Sequence, residues 1–137
     1  MQITFDAVDP RALADVWAPA LRSYALQPPP SGCDSWDAFL AANGVPPEHR
    51  QDAPALVGDG PRPFFQKVPE PKAAKDRVLL DVQSGSGPGV PLDEQRRRIR
   101  AEVGRLQSIG ATLAEYRDGL GVAWAVLTDP EGNEFCA

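Results

Sequence analysis

The chain has 137 residues and a formal net charge of −5, with 42% hydrophobic and 24% charged residues. That length suits one domain, or two small modules sharing a core, and it allows burial of roughly two-thirds of the unfolded surface without disulfides or metals. The mixed charge and apolar content exclude a disordered chain, and the net acidity argues against a nucleic-acid partner, which needs a positive footprint on phosphates.

Residues 1–7 alternate, with Ile3, Phe5 and Ala7 apolar and Gln2, Thr4 and Asp6 between them. This predicts a strand with one apolar and one polar face. Asp9-Pro10 then supplies an N-cap and a first-turn proline. Leu13, Val16, Trp17, Ala20, Leu21 and Tyr24 follow at helical spacing, until Gln27-Pro28-Pro29-Pro30 ends the helix. Within the irregular segment 31–54, Ser35 caps a short helix carrying Trp36, Phe39 and Leu40 that stops at Asn43-Gly44. Ala55-Leu56-Val57 and Phe64 to Val68 read as strands joined through Gly58-Asp59-Gly60-Pro61, and residues 71–76 read as a linker.

The pattern then restarts. Val78, Leu80 and Val82 alternate with Leu79, Asp81 and Gln83. A flexible connection, 84–89, leads to a helix with Leu92, Ile99, Val103 and Leu106 on one face, ending at Gly110. The basic run Arg96, Arg97, Arg98 and Arg100 falls on this helix and is expected on its solvated outer face. Strands 112–117 and 122–127, paired through Asp118-Gly119, are followed by the turn Asp129-Pro130-Glu131-Gly132 and a last strand, 133–136. Both halves thus read strand, helix, then about three strands: module one at 1–70 and module two at 77–137. The class is α+β.

Local matches support a duplication. Phe5-Asp6-Ala7 parallels Leu80-Asp81-Val82, and Gly58-Asp59-Gly60 before Phe64-Phe65 parallels Pro130-Glu131-Gly132 before Phe135. Together with the closing segment Thr128 to Cys136, this duplicated βαβββ order resembles the vicinal oxygen chelate superfamily of glyoxalases, bleomycin-resistance proteins and extradiol dioxygenases. Phe5 to Pro10, Phe64 to Glu70 and Arg77 to Asp81 are similar to its bacterial glyoxalase-like branch. The resemblance leaves out residues 27–53. It implies two modules whose curved mixed sheet surrounds a ligand cavity, and, in the metalloenzymes, four ligands on the first and last strands of the modules. Carried onto this chain, those positions become Gln2 or Thr4, Gln66 or Phe64, Leu79 and Cys136, a set poor in the donors that hard or imidazole-rich sites use.

Strand parity places Gln2, Thr4, Asp6, Phe64, Gln66, Leu79, Asp81 and Cys136 on the polar faces, where the resembled cavity would lie; Trp124 joins them as a mid-strand aromatic. A solvated surface is the plainer alternative for these carboxylates. Trp17 and Trp36 are expected in the core. With Asp6 and Asp81 lining it, the cavity suits a polar or cationic small organic ligand. The expectation is therefore a small-molecule-binding protein of the glyoxalase/bleomycin-resistance type, with no metal or other cofactor. The alternatives are a lyase, isomerase or dioxygenase-like enzyme with an altered metal site, and an interaction module whose cavity is filled by its own side chains. No apolar stretch is long enough for a membrane span and the chain opens directly on a strand, so a cytoplasmic protein with free Cys33 and Cys136 is expected. Open strand edges predict a homodimer.

Overall fold

The computed structural model describes residues 1–87 and 89–137; Pro88, within the expected connection 84–89, lies outside the described residues. The chain forms two compact units, 1–71 and 72–137. Residues 72–76, expected as linker, belong to the second.

In the first unit, β1 (Gln2–Ala7) pairs in parallel with β4 (Arg62–Lys67), matching Phe5 to Phe65 and Asp6 to Gln66. Helix α1 (Pro10–Ala20) starts where Asp9 accepts from the Ala12 amide at 3.1 Å, and it buries Leu13, Ala14 and Trp17. Trp17 and Phe65 meet Phe5 at centroid distances of 5.3 and 5.0 Å, making an aromatic core. Truncating such a buried ring costs about 3–5 kcal/mol.

The helix ends at Ala20, eight residues before Pro28, where the chain turns through Arg22 at φ +56°. Tyr24 is therefore outside it, and residues 25–26 form an unexpected strand, β2 (Ala25–Leu26), antiparallel to β3 (Leu56–Val57). The expected tie of β3 to β4 is narrow. It consists of the bridge Ala55–Phe64 together with amides of Phe65 and Lys67 donating to the Pro54 and Asp52 carbonyls, both at 2.9 Å. Ser35 caps α2 (Trp36–Ala42) as expected, but α2 buries none of its residues. Trp36 is 37% exposed rather than in the core.

In the second unit, β5 (Leu80–Asp81) pairs in parallel with β8 (Glu134–Cys136), again matching an apolar pair, Leu80 to Phe135, and then Asp81 to Cys136. Among the described residues the strand order is β5-β8-β7-β6, with β6 at Thr112–Gly119 and β7 at Val122–Thr128. The first unit runs β1-β4-β3-β2 through its narrow tie, so the two units share one topology. Helix α3 (Leu92–Ser108) packs on β7 and buries Ile99, Val103 and Leu106 as its spacing predicts.

Three details depart from expectation. Strand β5 is only two residues long, so Val78 is 73% exposed and does not face a helix. The β6–β7 turn is Leu120-Gly121, with φ +54° and +78°, rather than Asp118-Gly119, which lies in β6. These paired positive φ values are those of the turn that matches strand twist. Finally, Gln95 is wholly buried on α3: its amide donates to the Val90 and Gly121 carbonyls at 2.7 and 2.9 Å and accepts from the Ala123 amide at 3.0 Å. It pins the segment before α3 and the β6–β7 turn to the helix.

Candidate functional site

Each unit presents a polar sheet face opposite its helix, and the strand register sets what stands there. In the first unit the rows are Gln2 beside Arg62, Thr4 beside Phe64 and Asp6 beside Gln66. The structure thus brings five expected residues, Gln2, Thr4, Asp6, Phe64 and Gln66, onto one face. It adds Arg62, two positions before Phe64 and therefore on the same side. Arg62 was overlooked because the expected strand began at Phe64, although the parity needed to find it was in the sequence.

The Arg62 guanidinium is held by neutral groups. Its Nε and Nη2 donate to the Gln27 side-chain oxygen at 2.9 and 2.7 Å, Nη1 donates to the Gln2 side-chain oxygen, and its carbon lies 5.3 Å from the Phe64 ring centroid. A cavity of about 370 Å³ opens beside it, lined by Phe64, Gln27, Leu26, Trp36 and Leu40 among others. The Trp36 indole N–H donates to the Gln27 carbonyl at 2.7 Å, which positions the ring at this cavity. About half of the lining comes from the segment 27–53.

In the second unit one row across the sheet is Asp81, Cys136, Val126 and Glu115. Trp124, beside Arg117, stands on the same face one row on. A pocket of about 340 Å³ gathers the expected Asp81, Trp124 and Cys136 with Gln83, Ser84 and Ser86. Leu79 does not line this pocket; it precedes β5 and is 39% exposed. Burial first, and then the Asp81 carboxylate, push the Cys136 thiol above its ordinary pKa, against a smaller opposing effect of Arg117. The thiol is thereby kept protonated and unreactive near neutrality, since the thiolate is the nucleophile and the metal ligand. Cys33 and Cys136 are both free.

Glu134, whose position alternates with Phe135, is committed elsewhere. Its carboxylate accepts from Lys72 Nζ at 2.7 Å and from the Asp76 amide at 3.2 Å, while its own amide donates to the Asp76 carboxylate at 2.8 Å. Lys72 and the Asp76 amide hold the Glu134 carboxyl down to about 2. This clasp ties residues 72–76 to β8. The basic run of α3 is likewise engaged at its surface: Arg96 with Asp118 and Asp93, and Arg97 and Arg98 with Glu94.

Matched to Leu79 and Cys136, the parallel registers couple Thr4 with Gln66 or Gln2 with Phe64, and accommodate either match of the first strand. Either set, a hydroxyl and an amide or an amide and a phenyl ring, joined by a hydrocarbon and one thiol, lacks the imidazole and carboxylate donors of a catalytic divalent metal site. Among the described residues, no group of three or more His, Cys, Asp or Glu side chains could hold a metal ion. His49, the single histidine, pairs through Nδ1 with Asp52 at 2.8 Å. Among them, too, no helix is long and apolar enough to cross a membrane.

Comparison with solved structures gives the same fold over nearly the whole chain. A glyoxalase/bleomycin resistance protein/dioxygenase family enzyme from Burkholderia phytofirmans PsJN matches with a TM-score of 0.61 and 15% identity, covering 98% of this chain and 93% of that one. The oxidase ChaP-H1 gives 0.54 and 15%, covering 98% and 90%. A glyoxalase/bleomycin resistance protein from Albidiferax ferrireducens T118 gives 0.52 and 15%, covering 99% and 94%. At these identities the likeness shows the fold alone. No curated protein matches significantly in sequence. The family model for the glyoxalase-like domain, in contrast, matches residues 2–137, and the chain belongs to that family.

Proposed function

We propose that this glyoxalase-like chain binds a small polar organic molecule on its polar sheet faces, and that it does so without a catalytic metal. The observation that carries the proposal is the pairing of Asp81 with Cys136 in register with Asp6 and Gln66. The resemblance assigns the family's usual histidine position to Leu79, which has no donor atom, and a last-strand ligand position to Cys136. Concave pockets with an aromatic wall and a few convergent polar groups remain in each unit, at volumes of about 340 and 370 Å³, within the range of roughly 300–1,000 Å³ typical of small-ligand sites. The ligand-binding residues in this proposal are Gln2, Thr4, Asp6, Phe64, Gln66, Asp81, Trp124 and Cys136, joined by Arg62. Leu79, which lines neither pocket, drops out of the set.

Self-association belongs to the same proposal. Strand β6 is an edge of its sheet, paired only with β7 among the described residues, and its side chains are largely exposed. Covering such an edge with a second copy is a standard solution for β structure.

The test is a fragment screen by ligand-observed NMR on chelator-treated protein, repeated with added zinc, manganese and iron(II). Hits that bind equally in both conditions support the proposal. An absence of hits until metal is added would instead favour an enzyme with an altered metal site.

A further inference from the structure

The cavity of the first unit has a charge balance that names its ligand. Three of its cationic side chains are matched by carboxylates: Arg11 by Asp15 at 3.0 Å, Arg50 by Asp37 at 3.2 Å and, when protonated, His49 by Asp52 at 2.8 Å. Arg62 is the exception. All three of its hydrogen bonds among the described residues go to neutral amide oxygens, of Gln27 and Gln2. Three of the five guanidinium N–H groups are used, which leaves one on Nη1 and one on Nη2. The group is held by these bonds and lies beside the Phe64 ring, and the rest of the wall combines apolar and aromatic surface from Leu26, Leu40 and Trp36 with the polar Gln51 and the carboxylate-paired cations.

From this we infer that the cavity formed by the segment 27–53 and β4 is a site for a monoanionic, flat, aromatic molecule, with Arg62 as the counter-charge and Phe64 and Trp36 as its aromatic walls. A carboxylate fits the two free N–H groups, and an aromatic body fits the remaining surface. The inference rests on the proposed small-molecule binding and narrows it to one unit, one chemical class and the opposite charge to that suggested by Asp6 and Asp81 alone. Gln27 acts as a positioning residue: it holds Arg62 without neutralising it.

The test compares 2-naphthoate, 2-naphthamide and 2-naphthylmethylammonium by titration calorimetry on the full chain. The anion is expected to bind about ten-fold or more tightly than either analogue, the effect of one charge-assisted hydrogen bond. Arg62→Gln should abolish that preference. Because Arg62 also ties β4 to Gln2 and Gln27, Gln27→Glu serves as the second variant. It places a carboxylate on Arg62 from within and should remove the anion preference while keeping the fold, as read by circular dichroism. Equal affinity for the three probes, preference for the cation, or anion preference surviving in Gln27→Glu would overturn the inference. None of these results touches the parent proposal, which the fragment screen decides separately. No binding of any of the three probes would also overturn the inference.

Discussion

Replacing Gln95 by Leu removes a buried amide that makes three hydrogen bonds, to Val90, Gly121 and Ala123, while keeping a similar volume. The three lost partners are not equivalent. The Ala123 N–H is buried and bears the penalty of an unpaired donor, about 1–3 kcal/mol. The carbonyls of Gly121 and Val90 sit in a turn and a loop where water can replace the amide, so each loses only about 0.5 kcal/mol of net hydrogen bonding. The sum is about 2–4 kcal/mol, partly offset by the apolar gain of a buried leucine. Urea unfolding followed by circular dichroism measures it as a fall in midpoint at unchanged slope. Gln95→Glu, which turns a buried carboxylate on the Val90 and Gly121 carbonyls, should cost at least as much as Leu at neutral pH. A Leu variant within about 0.5 kcal/mol of wild type would refute the reasoning, since surface-like positions behave that way.

Other outcomes follow from the same geometry. Gly58→Ala places a Cβ 2.6 Å from the Tyr24 ring and 2.8 Å from the Ser23 carbonyl, so stability should fall by about 1–3 kcal/mol, checked by thermal unfolding. Glu134 has its carboxyl held at about 2 in the folded chain against an ordinary 4.5 when unfolded, so its stabilising contribution is complete above 4.5 and lost as the pH falls toward 2. Acid titration of wild type and Glu134→Gln should therefore show a loss of stability across that window that the variant lacks. In a Cys33→Ser background, Asp81→Asn should lower the Cys136 pKa and speed iodoacetamide alkylation at pH 8, whereas Arg117→Gln should slow it, because the carboxylate opposes and the guanidinium favours the thiolate. Light scattering should give twice 14.7 kDa for the proposed dimer, and a single-chain mass at every concentration would count against it.

Much of the fold was legible because its strands and helices have clean periods. The α3 stripe of Ile99, Val103 and Leu106 and the capped starts at Asp9 and Ser35 are where spacing and cap residues place them. What was missed depends in part on tertiary context. The end of α1 falls just before left-handed Arg22, and Pro19 in its last turn was the local signal passed over. The β6–β7 turn took Leu120-Gly121 over the stronger Asp118-Gly119 signal, which lengthens β6 to bring Arg117 beside Trp124. Trp36 sits on an apolar helical stripe, yet α2 has no sheet beneath it, and the indole is instead fixed at a cavity by the Gln27 carbonyl. Gln95 was passed over because it is polar, although it falls between Leu92 and Ile99 on the same helical stripe. Asp6, Gln66, Asp81 and Cys136 were found by parity, which survives even where strand ends are wrong. Arg62 was lost for the opposite reason: parity was right, but the strand was begun two residues late.

The central claim is that a small molecule binds this chain at the polar sheet faces and needs no metal to do so. Amide chemical-shift mapping on metal-stripped, isotope-labelled protein tests it most directly, with a fragment hit titrated in the presence of chelator. Saturable shifts concentrated at Thr4, Phe64 and Gln66, or at Asp81, Trp124 and Cys136, are the predicted result. Shifts confined to the opposite, helix-covered faces, or shifts that appear only after metal is restored, would contradict it.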